Sequence, residues 1–106
     1  MPKYLLEVRY TLDGVRGVVA KGGSARKSAA QAAAKSLGGK LDSFYFAFGR
    51  NDVYAVADMP DNESAAALAL TVSAGGGATV RTVVLLSPED IDTATSKDVK
   101  YKPPGS

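Results

Sequence analysis

Residues 41–60 read LDSFYFAFGRNDVYAVADMP, and this stretch decides the fold. Two runs of strand-forming residues flank Gly49-Arg50-Asn51-Asp52, a cluster of turn formers. The first run is aromatic and large: Phe44, Phe46 and Phe48 alternate with Ser43, Tyr45 and Ala47. The second is small and β-branched: Val53, Ala55 and Ala57 alternate with Tyr54 and Val56. A short hairpin turn at Arg50-Asn51 would set Phe48 opposite Val53 and put Val53, Ala55 and Ala57 on the phenylalanine face. Large residues beside small ones suit a layer beneath helices. The expected core is therefore Phe44, Phe46, Phe48, Val53, Ala55 and Ala57. Replacing Phe46 by Ala is expected to cost about 3–5 kcal/mol, as for a buried ring.

Working outward, residues 4–10 alternate, with Tyr4, Leu6, Val8 and Tyr10 on one face and Leu5, Glu7 and Arg9 on the other. Thr11 is placed to cap a helix over 12–21, where Leu12, Val15, Val18 and Val19 recur at helical spacing. Gly22-Gly23 interrupts it. Ser24 is the expected cap of an alanine-rich second segment with an apolar stripe of Ala29, Ala30, Ala33, Ala34 and Leu37, ended by Gly38-Gly39. After the hairpin, Asp61 is the expected cap of a helix that breaks at Gly75-Gly76-Gly77. A strand over 79–86 follows, then Ser87-Pro88-Glu89-Asp90, a helix start with a cap, a proline and acids in the first turn.

The order β-α-β-β-α-β with right-handed connections gives an α+β, ferredoxin-like sandwich: a four-stranded antiparallel sheet in the order 4-1-3-2 with helices on one face. Residues 1–96 make one domain. Residues 97–106, KDVKYKPPGS, lack apolar periodicity and read as a C-terminal arm.

Several of these pieces together resemble the GYD-domain family, small bacterial and archaeal proteins of largely unassigned function. They are Tyr4-Leu5-Leu6 leading to Tyr10-Thr11-x-x-Gly14, a helix ending Leu37-Gly38-Gly39-Lys40-Leu41, Phe44-Tyr45, Gly49-x-x-Asp52, Met59-Pro60-Asp61-Asn62-Glu63 and Val80-Arg81-Thr82. Here Arg50 and Asn51 stand between Gly49 and Asp52, where the family name expects its tyrosine. The resemblance implies a ferredoxin-like or dimeric α/β-barrel-like protein. It implies no activity.

Composition narrows the chemistry. With no cysteine and no histidine among 106 residues, thiol nucleophiles, disulfides, Cys/His zinc sites, His- or Cys-ligated haem and His-based proton transfer are excluded. No metal site is expected: Asp58, Asp61 and Glu63 surround a proline turn and read as capping or solvated acids. No cofactor motif is present either. Lys21-Gly22-Gly23-Ser24 precedes a helix but lacks the phosphate-loop spacing. A net charge of +2 and the missing RNP1 pattern argue against a nucleic-acid partner. The first ten residues are charged at Lys3, Glu7 and Arg9, and no apolar run nears the roughly 20 residues that span a bilayer. No membrane partner is expected, and the expected location is cytoplasmic.

The candidate site is the open face of the sheet. In the expected order Arg81 lies beside Glu7 and Arg9, and Tyr54 and Tyr45 continue the row. Guanidinium groups and phenols there suit a small anionic ligand, while pairing of Glu7 with an arginine suits a buried oligomer interface. Gly49 supplies a positive φ to the turn in this reading, and Asp52 either hydrogen-bonds the turn or acts as a general base or an anchor for a ligand. The expected function is an oligomeric small-ligand-binding or scaffold module, a two-fold dimer joined through the open face. The alternatives are a cofactor-independent enzyme of the dimeric α/β-barrel type acting on a small acidic or aromatic compound, and a protein-interaction module using an edge strand.

Overall fold

A computed structural model describes residues 1–105. The elements are β1 (Lys3–Tyr10), α1 (Leu12–Lys21), α2 (Gly23–Ser36), β2 (Lys40–Phe46), β3 (Val53–Asp58), α3 (Asn62–Ala74), β4 (Ala78–Leu85) and α4 (Pro88–Thr95). This is the β-α-β-β-α-β plan with its first crossover split into two helices and a fourth helix after β4. The sheet is antiparallel throughout, and from the β2 edge its order is β2-β3-β1-β4. Read from the β4 edge, the same neighbours run 4-1-3-2. No described helix is long and apolar enough to cross a membrane.

Helix boundaries follow local chemistry. The Thr11 hydroxyl accepts from the Gly14 N–H and the Asp61 carboxylate from the Ser64 N–H, each satisfying an orphan donor of a first turn. Ser87 and Asp90 form a reciprocal capping box. Gly22, at φ 85°, separates α1 from α2, a conformation that glycine adopts without steric cost. Ser24 is not the cap of α2: that position falls to Gly22, which offers no side-chain acceptor. Gly38, at φ 79°, ends α2 as expected, with its N–H and that of Gly39 returning to the carbonyls of Lys35 and Ala34.

The core lies between the sheet and α2 and α3. Tyr4, Leu6, Val53, Ala55, Ala57, Ala34, Ala65, Leu68 and Met59 form it. Tyr4 is fully buried, and its phenol donates to the Asn62 side-chain oxygen at 2.6 Å, joining β1 to the start of α3. Phe44 and Phe46 lie on this side, ring to ring at 5.4 Å. A bulge between Leu41 and Ser43 lets Leu41 and Phe44 share the face.

The structure corrects the hairpin. Phe46, not Phe48, stands opposite Val53. The strands close where the Ala47 N–H donates to the Asp52 carbonyl at 2.9 Å, which leaves 48–51 as a four-residue loop. A two-residue turn would require positive φ at Arg50 and Asn51, and no residue other than glycine adopts it here. Asp52 is meanwhile tied to β1 by its own N–H to the Val8 carbonyl. Phe48 is thereby fully exposed and leaves the core, and Phe46 is 44 % exposed. The cost of Phe46→Ala accordingly falls to about half that of a buried ring. Gly49 lacks a positive φ, so left-handed geometry does not explain that glycine. On α1 the expected apolar residues recur at helical spacing, but Leu12, Val15 and Val19 are exposed and the helix buries nothing.

Candidate functional site

The side of the sheet away from α2 and α3 carries four cross-strand rows, fixed by the register. Lys40, Asp58, Lys3 and Leu85 form the first; Ser43, Val56, Leu5 and Val83 the second; Tyr45, Tyr54, Glu7 and Arg81 the third; Arg9 and Thr79 the last. All five candidate residues, Glu7, Arg9, Tyr45, Tyr54 and Arg81, are therefore on one face, four of them in a single row.

Their contacts differ from the expected ion pair. Glu7 makes no salt bridge among the described residues. Its carboxylate accepts from the Asn51 side-chain amide at 3.2 Å, and the same amide lies 3.2 Å from the Tyr54 hydroxyl. Asn51 is 5 % exposed and bridges the hairpin loop to two strands. Sequence reasoning missed it because a turn asparagine ordinarily serves its own backbone. Arg9 and Arg81 are exposed and have no acidic partner among the described residues. Tyr45 is 71 % exposed and Tyr54 38 %.

At the opposite end of the face, the Lys3 ammonium donates to Asp58 at 2.8 Å and Asp42 at 3.3 Å. The bond to Asp58 and then that to Asp42 hold its pKa above the ordinary 10.5. Between the two polar ends, Leu5, Val56 and Val83 make an apolar band.

Asp52 serves the backbone. Its Oδ2 accepts from the Tyr10 N–H at 2.8 Å and its backbone bonds Val8 and Ala47. That geometry locks the hairpin to β1. Burial pushes the Tyr10 phenol pKa up, opposed by the Arg26 guanidinium and assisted by Asp52. Gly49 carries no side chain into any contact, and nothing lies within 4 Å of where its Cβ would be. Among the described residues no three His, Cys, Asp or Glu side chains gather as metal ligands would.

Two concave surfaces are on the helical side. A cavity of about 370 Å³ lies between the sheet, α2 and α3, lined among others by Leu6, Val8, Phe44, Ala30, Ala33 and Val72. A shallower hollow lies between α3 and β4, at Tyr4, Leu70 and Val84. The only sequence signal for the first is the alanine stripe of α2, which reports an apolar face but not its lack of volume.

No curated protein and no solved structure matches the chain. Residues 4–95 match the family model of the GYD domain, nearly the whole described fold from β1 to the end of α4, and the chain belongs to the GYD-domain family.

Proposed function

We propose that this GYD domain is a self-associating scaffold or small-ligand-binding module that works as a homo-oligomer, most simply a two-fold dimer, joined through the open face of its sheet. The observation that carries this reading is the apolar band of Leu5, Val56 and Val83, flanked by Tyr45 and Tyr54 on a face that no helix covers. Apolar area of that extent in water is unfavourable, and a two-fold axis is the commonest way for a patch to cover itself. Glu7 and Arg81 sit side by side at its margin, so a second copy brings acid to base. Arg9 and Arg81, free of intramolecular partners among the described residues, are then available to a small carboxylate or phosphate held where two copies meet.

A second feature supports the same reading. The radius of gyration is 17.0 Å, against about 13 Å for a compact domain of this length. The excess comes from residues 86–105, all exposed, which carry Ile91, Val99 and Tyr101 away from the body. A C-terminal segment with those side chains suits a neighbouring copy.

Size-exclusion chromatography with light scattering tests the proposal. The expected species has at least twice the 10.9 kDa chain mass, and Tyr54→Glu shifts it toward monomer by placing a charge beside the band. A wild-type chain that runs as a monomer at micromolar concentration overturns the reading. An assembly insensitive to Tyr54→Glu moves the interface to another surface.

A further inference from the structure

The cavity on the helical side has a polarity and a direction. Its floor is the row Tyr10, Val8 and Leu6 along β1, which spans about 13 Å at strand rise. Its wall on α2 runs from Arg26 to Ala34, about 12 Å at helical rise. The two agree, so the space is a slot parallel to α2 rather than a round hole. At one end stand Tyr10, Arg26, Gly14 and Gly77; at the other, Leu6, Leu41 and Leu68.

Arg26 is the only charged residue of the lining, and no acid lines the slot. Arg26 also has no ion pair among the described residues. The end of the slot that it marks is the N-terminal end of α2. That terminus has no side-chain cap and no acidic residue in its first turn, so the positive end of the helix dipole is uncompensated there. Tyr10 contributes a phenol whose pKa burial raises, so it stays a hydrogen-bond donor. Beyond these groups Thr71 is the one other polar side chain of the lining, and the walls are otherwise aliphatic or aromatic: Val8, Leu68, Val72 and Val80, with Phe44 at the β2 side. The slot is partly open to solvent, so without a guest its apolar walls stand against water. Leucine in place of Ala30, Ala33 or Ala69 would close much of it.

We infer that the slot binds a linear apolar carboxylate of about the length of decanoate, with its head at Arg26 and Tyr10 and its chain running along β1 toward Leu6 and Leu68. A volume of about 370 Å³ falls in the range of small-molecule sites, which are mostly apolar with a few polar groups that fix orientation. A single guanidinium beside a phenol at one end of an apolar slot selects an anionic head with a lipophilic tail. The slot and the open face are on opposite sides of the sheet, so this inference stands whether or not the chain self-associates as proposed above.

The test is a titration of the isotope-labelled full chain with decanoate, followed by amide NMR, with decanol as the neutral control. Decanoate is expected to shift the amides of Leu6, Val8, Ala30, Ala33 and Val80 and to leave Leu5 and Val83 unmoved. Arg26→Gln is expected to weaken decanoate about tenfold or more, the loss of a charge-assisted hydrogen bond, while decanol binding stays within twofold. Ala30→Leu is expected to raise the melting temperature and abolish binding of both; Ala69→Leu, from the opposite wall, gives the same readout should the first variant fold poorly. Light scattering of Arg26→Gln is expected to match wild type, which separates failure of this site from failure of the assembly. Absence of shifts at millimolar decanoate overturns the inference. So do shifts confined to Leu5 and Val83, or equal decanoate affinity in wild type and Arg26→Gln.

Discussion

The two faces of the sheet invert the usual distribution of side-chain size. On the helix-covered face half of the buried hydrophobic residues are alanines, Ala34, Ala55, Ala57, Ala65 and Ala78, beside Tyr4, Leu6, Val53, Met59 and Leu68. On the open face and the C-terminal segment after β4 large residues stand in water: Tyr45, Tyr54, Val83, Ile91 and Tyr101. The covered face therefore has apolar character without enough volume to fill its space, and the open face has apolar area without a cover. A chain of 106 residues can bury only a modest core. Spending its large side chains outside makes sense when another surface or molecule completes the burial. The covered face then calls for a small guest, and the open face for a flat partner.

The largest effect that distinguishes the faces is expected at tyrosines on either side. Tyr4 is 1 % exposed and holds Asn62 through its phenol, so Tyr4→Ala should cost about 3–5 kcal/mol in urea unfolding. Tyr45→Ala should change the stability of the monomeric chain by less than about 0.5 kcal/mol, as at other exposed sites, while making the midpoint less dependent on protein concentration. Comparable costs for the two would break the contrast and place Tyr45 in a folded core.

An intermediate effect probes how tight the helical side is where the slot narrows. The Thr11 N–H donates to the Gly77 carbonyl at 3.0 Å, and a Cβ on Gly14 would overlap that same carbonyl oxygen. Gly14→Ala should therefore destabilise by about 1–3 kcal/mol through overpacking. Gly17, one turn along α1, has nothing within 4 Å of its Cβ position. Gly17→Ala should stabilise by about 0.5–1 kcal/mol through helix propensity. The sign difference between two glycines of one helix, read by thermal melts, shows whether α1 is packed tightly only where Gly14 meets Gly77.

Much of this architecture was legible because it rests on polarity and local chemistry. Alternation placed Leu5, Glu7, Arg9, Tyr45, Tyr54 and Arg81 on one face, and oxygen-bearing residues before apolar runs identified Thr11, Asp61 and Ser87 as caps. What failed depends on quantities that periodicity does not report. The hairpin loop is longer than a two-residue turn because Asp52 is pulled onto β1 by bonds to Val8 and Tyr10, contacts between residues some forty positions apart. Phe48 was lost from the core, and Gly49 from its left-handed role, by that one displacement. Asn51 belongs to the open face because the same loop folds its amide over Glu7 and Tyr54. The slot escaped notice because an alanine and a leucine are equally apolar in a helical pattern and differ only in the space they fill.

The smallest expected effect lies where the helical layer meets solvent. The Asp61 carboxylate caps α3, and its pKa is held below the ordinary 3.8, first by the side-chain bond with Ser64 and then by the Ser64 backbone N–H. A carboxyl depressed in the folded state stabilises it only when ionised. Its contribution is therefore complete above the unfolded pKa and is lost as pH falls through the lower folded value. Asn is also a good cap but does not titrate, so Asp61→Asn should leave stability near neutral pH almost unchanged. Below about pH 4 the wild type should lose the energy of its ionised cap while the variant does not, so the two unfolding free energies, nearly equal at neutral pH, separate slightly toward acid with the variant the more stable. Asp61 is fully solvent-exposed, which keeps the change small. Parallel stability curves for the two chains from neutral pH down to acid would show that the α3 cap carries no charge-dependent energy. Anchoring of the helix over the covered face would then rest on the buried Ala65 and Leu68 and on the Tyr4–Asn62 bond.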